Sequence, residues 1–514
     1  MKIPKDIVSK EEARGKILTG VNILADAVSS TLGPKGRNVA INNLHTYPEI
    51  FHDGVTVARR INLKDPFEDM GAELIKMAAE KTVIRVGDGT TTATILARAI
   101  IIEAYKQIAA GVNPVTIQKE LEQNLPVLLA ELDKLSRPIN KSDEEIEFVA
   151  TVSSTDSTLG KLVAEAIVKV GQDGIVTVEE GKGFDTTVTY KTGMEIDRGY
   201  TSPEFKTNEK TEEAIIEDPY ILLTDKEIRF LSDLLPFIDK FLKTSKKLVI
   251  FAGNVSDEAL VTLVLNKIRG AIEVIAVQAP AFGGRRIDEL EDMARYTGGV
   301  VITRDSGRRL DSVQIEELGR AEKIISDRDK TIILNGKGSQ EAIDKRIAEI
   351  HAQIENANTD FDRDIKKQRL GNLSGKAAVI YVGAIDEVSM RDKKERVIDA
   401  VAATKAGIQG GIVAGGEITL YALSSHATGI LKNALKAPFI KLLENAGIDY
   451  AQALQKLGDY PQGIDVMDEQ PKDLIKAGII DPVLVTKTAL QNAVSIAGIV
   501  ITCESLITDS PIDK

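Results

Sequence analysis

The sequence predicts a nested multidomain fold that mixes α and α/β structure. A mainly helical part is built from both chain ends, and an α/β section is inserted between them. Three observations predict it. The first and last quarters carry apolar residues at helical spacing within Ala-, Ile- and Leu-rich stretches. The middle alternates short β-branched runs with helical segments. The length, 514 residues, corresponds to about three domains of ordinary size.

Residues 9–31 read as an amphipathic helix, with Ile17, Val21, Leu24 and Val28 spaced four and three apart. Gly33-Pro34 stops it, and Asn38-Val39-Ala40-Ile41 reads as a short strand. Residues 67–135 are mostly helical, interrupted at Gly87-Asp88-Gly89 and at Gly111. After Leu135 the pattern changes, and Gly174–Val178, Lys247–Phe251, Ile272–Val277 and Gly299–Thr303 read as strands. One long polar helix is expected at about 339–370, where Ile343, Ile347, Ile350 and Ile354 make a narrow apolar stripe. Beyond the strand Ala377–Val382 the chain reads as helical and Ala-rich to its end.

Composition then excludes several functions. Hydrophobic residues at 43% and charged residues at 28% are ordinary for a globular core. A single cysteine, Cys503, leaves no internal disulfide, and four scattered histidines form no Cys/His zinc cluster. Aromatics at 4% and the absence of Trp argue against sugar platforms and against stacking on single-stranded nucleic acid. A net charge of −12 opposes DNA and anionic membranes, so neither nucleic acid nor membrane is an expected partner. The N-terminus lacks a signal-peptide stretch, and the charge-free run Thr488–Cys503 reads as too short and too polar to span a bilayer. A reduced, cytoplasmic protein is the expectation.

Two Gly-rich turns carry candidate chemistry. In Thr31-Leu32-Gly33-Pro34-Lys35-Gly36-Arg37-Asn38, glycines let backbone N–H groups converge on an anion, and Lys35 and Arg37 add charge; the same residues also suit a plain helix-to-strand turn. In Gly87-Asp88-Gly89-Thr90-Thr91-Thr92-Ala93-Thr94, a helix start offers N–H groups and hydroxyls to phosphate, with Asp88 placed to hold Mg2+. The alternative makes Asp88 a helix cap. Three consecutive threonines weaken a helix, and broken local rules favour a site. No Walker A loop and no G-x-G-x-x-G follows a strand, so any nucleotide binds through another geometry. Asp53, in Phe51-His52-Asp53-Gly54, and Asp399, on Glu395–Ala400, are further carboxylate candidates. Leu231, Leu234, Leu235, Ile238 and Phe241 form one apolar stripe, and Leu260, Val261, Leu263, Val264 and Leu265 are nearly continuous. Such helices face either a core or an apolar partner.

The two turns, with Asp53-Gly54 and Val413-Ala414-Gly415-Gly416, stand in the order and spacing of the chaperonins. The chain resembles the group I, GroEL-type members of that family. Arg198-Gly199-Tyr200, Ala279-Pro280-Ala281-Phe282-Gly283, Gly478-Ile479-Ile480-Asp481-Pro482 and Ala489-Leu490-Gln491 extend the match over essentially the whole chain. The resemblance implies an equatorial ATPase domain at 1–134 and 411–514, an intermediate hinge domain at 135–191 and 378–410, and an apical domain at 192–377. It implies ATP and Mg2+, with K+ as a further cation. It also implies a homo-oligomeric ring, heptameric and single or double, that encloses non-native client proteins beneath a GroES-like lid co-chaperonin while hydrolysis times release.

Residue by residue, Thr31, Leu32, Gly33 and Pro34 match the loop over the nucleotide, and Asp88 matches the Mg2+ ligand. Gly89, Thr90, Thr91 and Thr92 match the phosphate-cradling helix start. Asp399 matches the carboxylate that activates the attacking water, and Asp53 a second carboxylate near the γ-phosphate. Gly415, Asp465 and Asp481 match contacts to base and ribose. Tyr200, Phe205, Leu235, Ile238, Leu260, Val264 and Leu265 match the apical surface for clients and co-chaperonin. The chain departs from the family at His52 (usually Lys), Glu204 (an apical Tyr), Glu417 (the third Gly of a triplet) and Asp465 (an Asn). It is also shortened between Ala422 and Leu435, carries Ile440 opposite Asp449 in place of an inter-ring Arg, and lacks a Gly-Met tail after Pro511–Lys514. These departures keep open a nucleotide-binding scaffold or holdase with little turnover. A small-molecule kinase is the weaker alternative, since no acceptor pocket is identifiable.

Overall fold

The computed structural model describes residues 4–42, 48–139, 143–171, 174–181, 183–208, 211–230, 232, 234–355, 359–373 and 375–509. Leu231 of the expected stripe and the terminal Pro511–Lys514 lie outside the described residues. The chain divides into two compact units. The first comprises Met1–Gln172, Val178–Val188 and Ile380–Lys514, and the second Asp173–Thr177 and Thr189–Val379.

The first unit is mainly helical, and its largest core gathers residues from both chain ends. Helix Lys10–Ser29 buries Ile17, Val21, Leu24 and Val28, the four positions that its spacing predicts. It crosses helix Pro66–Val86 backbone to backbone: a Cβ on Gly20 would lie 1.8 Å from the Glu68 carbonyl oxygen, which only glycine permits. That second helix has clear local punctuation. The Asp65 carboxylate accepts from Phe67 and Glu68 N–H, Pro66 fixes the first turn, and Gly87 ends it at φ 72°. Helix Val483–Ile501 is long and apolar enough to cross a membrane by length and composition. The sequence reading that starts at Thr488 undercounts it, because the helix begins five residues earlier and Lys487 turns outward to pair with Asp133. Val483, Leu490, Ala493, Ala497 and Val500 are buried, so its apolar surface is spent on the core of this unit. Strand Lys5–Ser9 pairs antiparallel with Ser505–Asp509.

The last quarter is less helical than its composition predicts. Strand Ile412–Ala414 pairs with Ile480–Pro482, and Gln462–Asp465 forms a hairpin with Gln470–Asp473. Pro461 and Gly463 disfavour a helix there, and the Asp465 and Asp468 side chains accept turn N–H groups from Met467 and Gln470.

The second unit is built on a mixed sheet. Glu273–Gln278, Lys247–Ala252 and Tyr220–Thr224 run parallel in that order, and Gly319–Ser326, Thr331–Gly336 and Thr187–Ile196 continue it antiparallel. The single helix expected at 339–370 is two helices, Gln340–Glu355 and Asp360–Leu373. The Thr359 hydroxyl accepts from Asp362 N–H at 3.1 Å and so starts the second one. Ile343 and Ile350 are buried as predicted. Both helices are fastened to helix Gly284–Thr297 through Asp292: Arg346 Nε donates to Oδ1 at 2.7 Å, and Arg369 Nε donates to Oδ2 at 2.7 Å.

Candidate functional site

The site in the first unit starts from an uncapped helix. Thr90–Ala109 begins at Gly89, φ 81°, and no side chain caps it. The first-turn N–H groups therefore point outward without an intrahelical acceptor. Asp88 is not the cap. Its Oδ1 accepts the adjacent Gly89 N–H at 2.5 Å, and its Oδ2 accepts the Ser153 hydroxyl at 2.9 Å. Ser153, on helix Asp143–Ser154, carried no sequence signal, because the contact joins residues 65 apart in the chain.

The loop after Ser30 leans on this helix start. Thr31 Oγ1 lies 3.5 Å from Thr91 Oγ1 and donates to the Val28 carbonyl at 2.9 Å. Gly33 adopts φ 81°, and Asn445 Nδ2 donates to the Ser29 and Leu32 carbonyls, which fixes the loop from below. Leu32 packs beside the Phe439–Leu442 cluster. Lys35 pairs with Glu469 at 3.3 Å, so its charge is already engaged there. Asp53 caps the short helix Gly54–Arg59 by accepting from Val55 and Thr56 N–H at 3.3 and 2.8 Å.

Five acidic side chains meet here. Asp53 and Asp88 both act electrostatically on Asp399, which helix Glu387–Gly410 delivers to the site. Desolvation, then these two neighbours and Glu395, hold the Asp399 carboxyl well above the usual carboxylate range. Burial also raises Asp88, with Asp53 adding to it, while the bonds from Gly89 and Ser153 oppose the shift. Asp481 is raised well above its ordinary value by burial, then by Glu417 and Asp88. Glu417 is pushed up to about 7 by burial, with Asp88 adding and the hydrogen bond from Thr92 opposing. These side chains are set deep in the protein while still touched by solvent. Among the described residues no Lys or Arg forms an ion pair with any of the five.

Strand pairing sets Val413 opposite Asp481, and Gly415 N–H donates to the Ile479 carbonyl at 2.9 Å. A Cβ on Gly415 would lie 3.0 Å from Asp481 Oδ1 and 3.1 Å from the Ile479 carbonyl oxygen, so a side chain there would have to push its neighbours back by a few tenths of an ångström. Tyr460 Oη accepts from Ala414 N–H at 3.1 Å and steadies the same turn. Asp465 lies on the hairpin formed by Gln462–Asp465 and Gln470–Asp473, which also carries the Glu469 that pairs with Lys35. Its carboxylate accepts from Met467 N–H at 2.9 Å and from Lys472 Nζ at 2.7 Å, both within its own hairpin. Its sequence position beside Gly463 gives it a turn role that motif matching does not distinguish from a ligand role.

Among the described residues no three His, Cys, Asp or Glu side chains form a ready-made metal cage. Asp88, at an open helix start with further carboxylates near it, nevertheless fits Mg2+, which commonly takes one or two carboxylates and completes its shell with phosphate and water. The open N–H groups and the Thr90, Thr91 and Thr92 side chains fit a polyphosphate. His52 adds no fixed positive charge. Desolvation and then Arg396 lower its pKa, while Asp392 and Asp53 act the other way. Its Nδ1 lies 3.1 Å from Asn38 Oδ1.

The candidate client residues divide in the second unit. Leu235 and Leu265 are each 45% exposed, on helices Leu235–Phe241 and Asp257–Ile268. Leu260 and Val264 are half-buried against the core. Phe205, Ile238 and Tyr200 correct the expectation of a surface role: they are 0%, 9% and 9% exposed and belong to the core beneath. Leu235 and Ile238 are three positions apart on one short helix, and its first turn leaves Leu235 exposed while Ile238 meets the core. The sequence reading also leaves Val261, at 59% exposed, and Ile268, at 64%, out of the surface set that the structure gives them. Lys267 Nζ donates to the Glu204 and Lys206 carbonyls at 2.7 Å and ties the Glu204 turn to this helix.

The TCP-1/cpn60 chaperonin family model matches residues 24–511. Among solved structures, the chain is similar to the chaperonin gp146 from the bacteriophage EL 2 (Pseudomonas aeruginosa), determined in the presence of ATP-BeFx. Sequence identity is 21%, the TM-score is 0.71, and the match covers 98% of this chain and 99% of that one. That likeness shows a shared fold across both units. With the family match across nearly all of the sequence, it leads to one conclusion: this chain belongs to the TCP-1/cpn60 chaperonin family.

Proposed function

We propose that the chain is an ATP-hydrolysing folding chaperonin, and the observation that carries this reading is the set of five unpaired acidic side chains around an uncapped helix start. Such a cluster is costly unless cations enter it. An open helix start calls for an anion. A Mg2+-polyphosphate satisfies both.

Asp88 holds the metal in this reading, and the first turn from Gly89 to Thr92 receives the phosphates. When bound, Mg2+ supplies charge neutralisation on the phosphate oxygens. Asp399 orients the attacking water and takes its proton on a carboxylate oxygen. Burial, then Asp53 and Asp88, raise its affinity for protons, the direction that a general base requires. Asp53 keeps Asp399 in that state by repulsion and is itself anchored as a helix cap. Gly415 and Asp481 flank the base and ribose. The chemistry is positioning and electrostatics, with no covalent intermediate on the protein.

The exposed Leu235, Val261, Leu265 and Ile268 are proposed to capture non-native client proteins through non-directional apolar contact. Assembly into a homo-oligomeric ring, a heptamer in one or two layers, belongs to the same proposal, as do a GroES-like lid, K+ as a second cation and a cytoplasmic setting. Steady-state phosphate release tests the core of it: release that depends on Mg2+ and is lost in Asp399→Ala supports the reading, and release that survives Asp399→Ala overturns the assigned role. A second reading, a nucleotide-binding holdase with little turnover, is favoured by two observations: His52 is held toward its neutral form, and a carboxylate already engages Thr92. Client capture without measurable phosphate release would establish it.

A further inference from the structure

Glu417 breaks two local rules at once. It precedes helix Ile418–Leu423 in the left-handed region, φ 60°, a conformation that favours glycine over any side chain. Its side chain then reaches into the phosphate cradle, where Thr92 Oγ1 donates to Oε1 at 2.5 Å. The titratable groups facing it are also acidic: Asp88 from the turn before helix Thr90–Ala109, and Asp481 from strand Ile480–Pro482. Among the described residues no Lys, Arg or His pairs with it. An anionic side chain is thus held, against backbone preference and against its neighbours' charge, on a hydroxyl that a phosphate oxygen would use.

We propose that Glu417 is a built-in competitor of the nucleotide polyphosphate: it occupies the Thr92 hydroxyl in the free protein and must release it when nucleotide binds. This rests on the nucleotide reading above. In the exchange, the Thr92 hydroxyl changes acceptor from Glu417 Oε1 to a phosphate oxygen. The displaced carboxylate is then free to take up a proton from solvent. The carboxyl already binds protons near neutrality, at about 7, so the exchange is easy in mild acid and opposed in mild base. Affinity then falls by up to about tenfold per pH unit above that value, and the residue acts as a proton-linked brake on loading.

The test is equilibrium binding of a fluorescent ADP analogue with Mg2+ to the full-length protein, Glu417→Gln, Glu417→Gly and Asp88→Ala, from pH 6 to pH 8.5. Glu417→Gln keeps the side-chain volume, and Glu417→Gly suits the left-handed backbone, so the two guard each other against misfolding. Both variants are expected to bind about tenfold tighter than the parent at pH 8, with the gap closing to less than about twofold at pH 6. Equal affinity of parent and both variants at pH 8, or a gap that does not change with pH, overturns the inference while leaving the nucleotide reading in place. Absence of binding in every form, or binding indifferent to Asp88→Ala, overturns the nucleotide reading and this inference with it.

Discussion

Asp292 and Asp399 are both recessed carboxylates on long helices, and they have opposite surroundings. Asp292, in the second unit, is clasped by Arg346 and Arg369, so its charge joins three helices. Asp399, in the first unit, faces Asp53, Asp88 and Glu395, and among the described residues it has no cationic partner. A charge satisfied inside the protein supports structure. A charge left unsatisfied is stored electrostatic strain, which persists only where another requirement selects for it. Asp292 is thus a structural carboxylate, and Asp399 a candidate for the proposed chemistry.

Substitution should pull the two apart. The largest effect is on turnover: Asp399→Ala should lower phosphate release by about 10²–10⁴-fold, with nucleotide affinity changed by less than about threefold, read by a coupled phosphate assay and by titration. Next, Asp292→Asn strands two guanidinium groups and should destabilise the second unit by about 3–5 kcal/mol, measured by denaturant unfolding. Asp399→Asn removes a repelled charge and should instead raise the melting temperature at pH 7.5. A loss of stability there would mean that Asp399 has a cationic partner after all.

A smaller contrast lies within one helix. Ile238→Ser should cost about 2–4 kcal/mol because it buries a hydroxyl in a core, whereas Leu235→Ser with Leu265→Ser should cost less than about 1 kcal/mol and abolish capture of an unfolded client. Retained capture in that double variant would return both helices to a purely structural role.

The mildest effect is on pH dependence. The native state binds a proton at Glu417 more tightly than the unfolded chain does, so this group's contribution to stability is complete below its usual value of 4.5 and is lost as pH rises to about 7. Glu417→Gln should therefore stabilise the protein relative to the parent by an increment that grows from pH 5 to pH 7 and is flat above. An increment independent of pH would place the titration elsewhere.

What was legible in the sequence follows the range of the interactions. Gly87–Thr92 could be read as a site because its oddity is local: two glycines and three threonines make poor helix start material. The Asp65 cap and the Gly87 stop were equally local. Asp399 was unremarkable on its own helix, and only resemblance singled it out, because its approach to Asp53 and Asp88 is tertiary. Ser153 was invisible for the same reason. Glu417 could be seen as a departure from a glycine, but its contact with Thr92 bridges 325 positions of sequence. The split at Thr359 was hidden by an isoleucine stripe that runs up to the break, and the surface role of Leu235 by a neighbour, Ile238, of the same chemistry and opposite exposure.

The pairing of Lys5–Ser9 with Ser505–Asp509 has a consequence for biosynthesis. Every strand of the sheet that builds the second unit is available once Val382 has left the ribosome, whereas the first unit waits for strand Ser505–Asp509 and for helix Val483–Ile501. Domains generally fold as units during synthesis, and contacts between distant residues form late. The proposed nucleotide site, which draws Asp481 from one end of the chain and Asp88 from the other, is therefore among the last parts to form. Under the proposed function, a growing chain exposes apolar surface before it can bind nucleotide, and during that interval it is itself the kind of non-native protein that its finished form would take up.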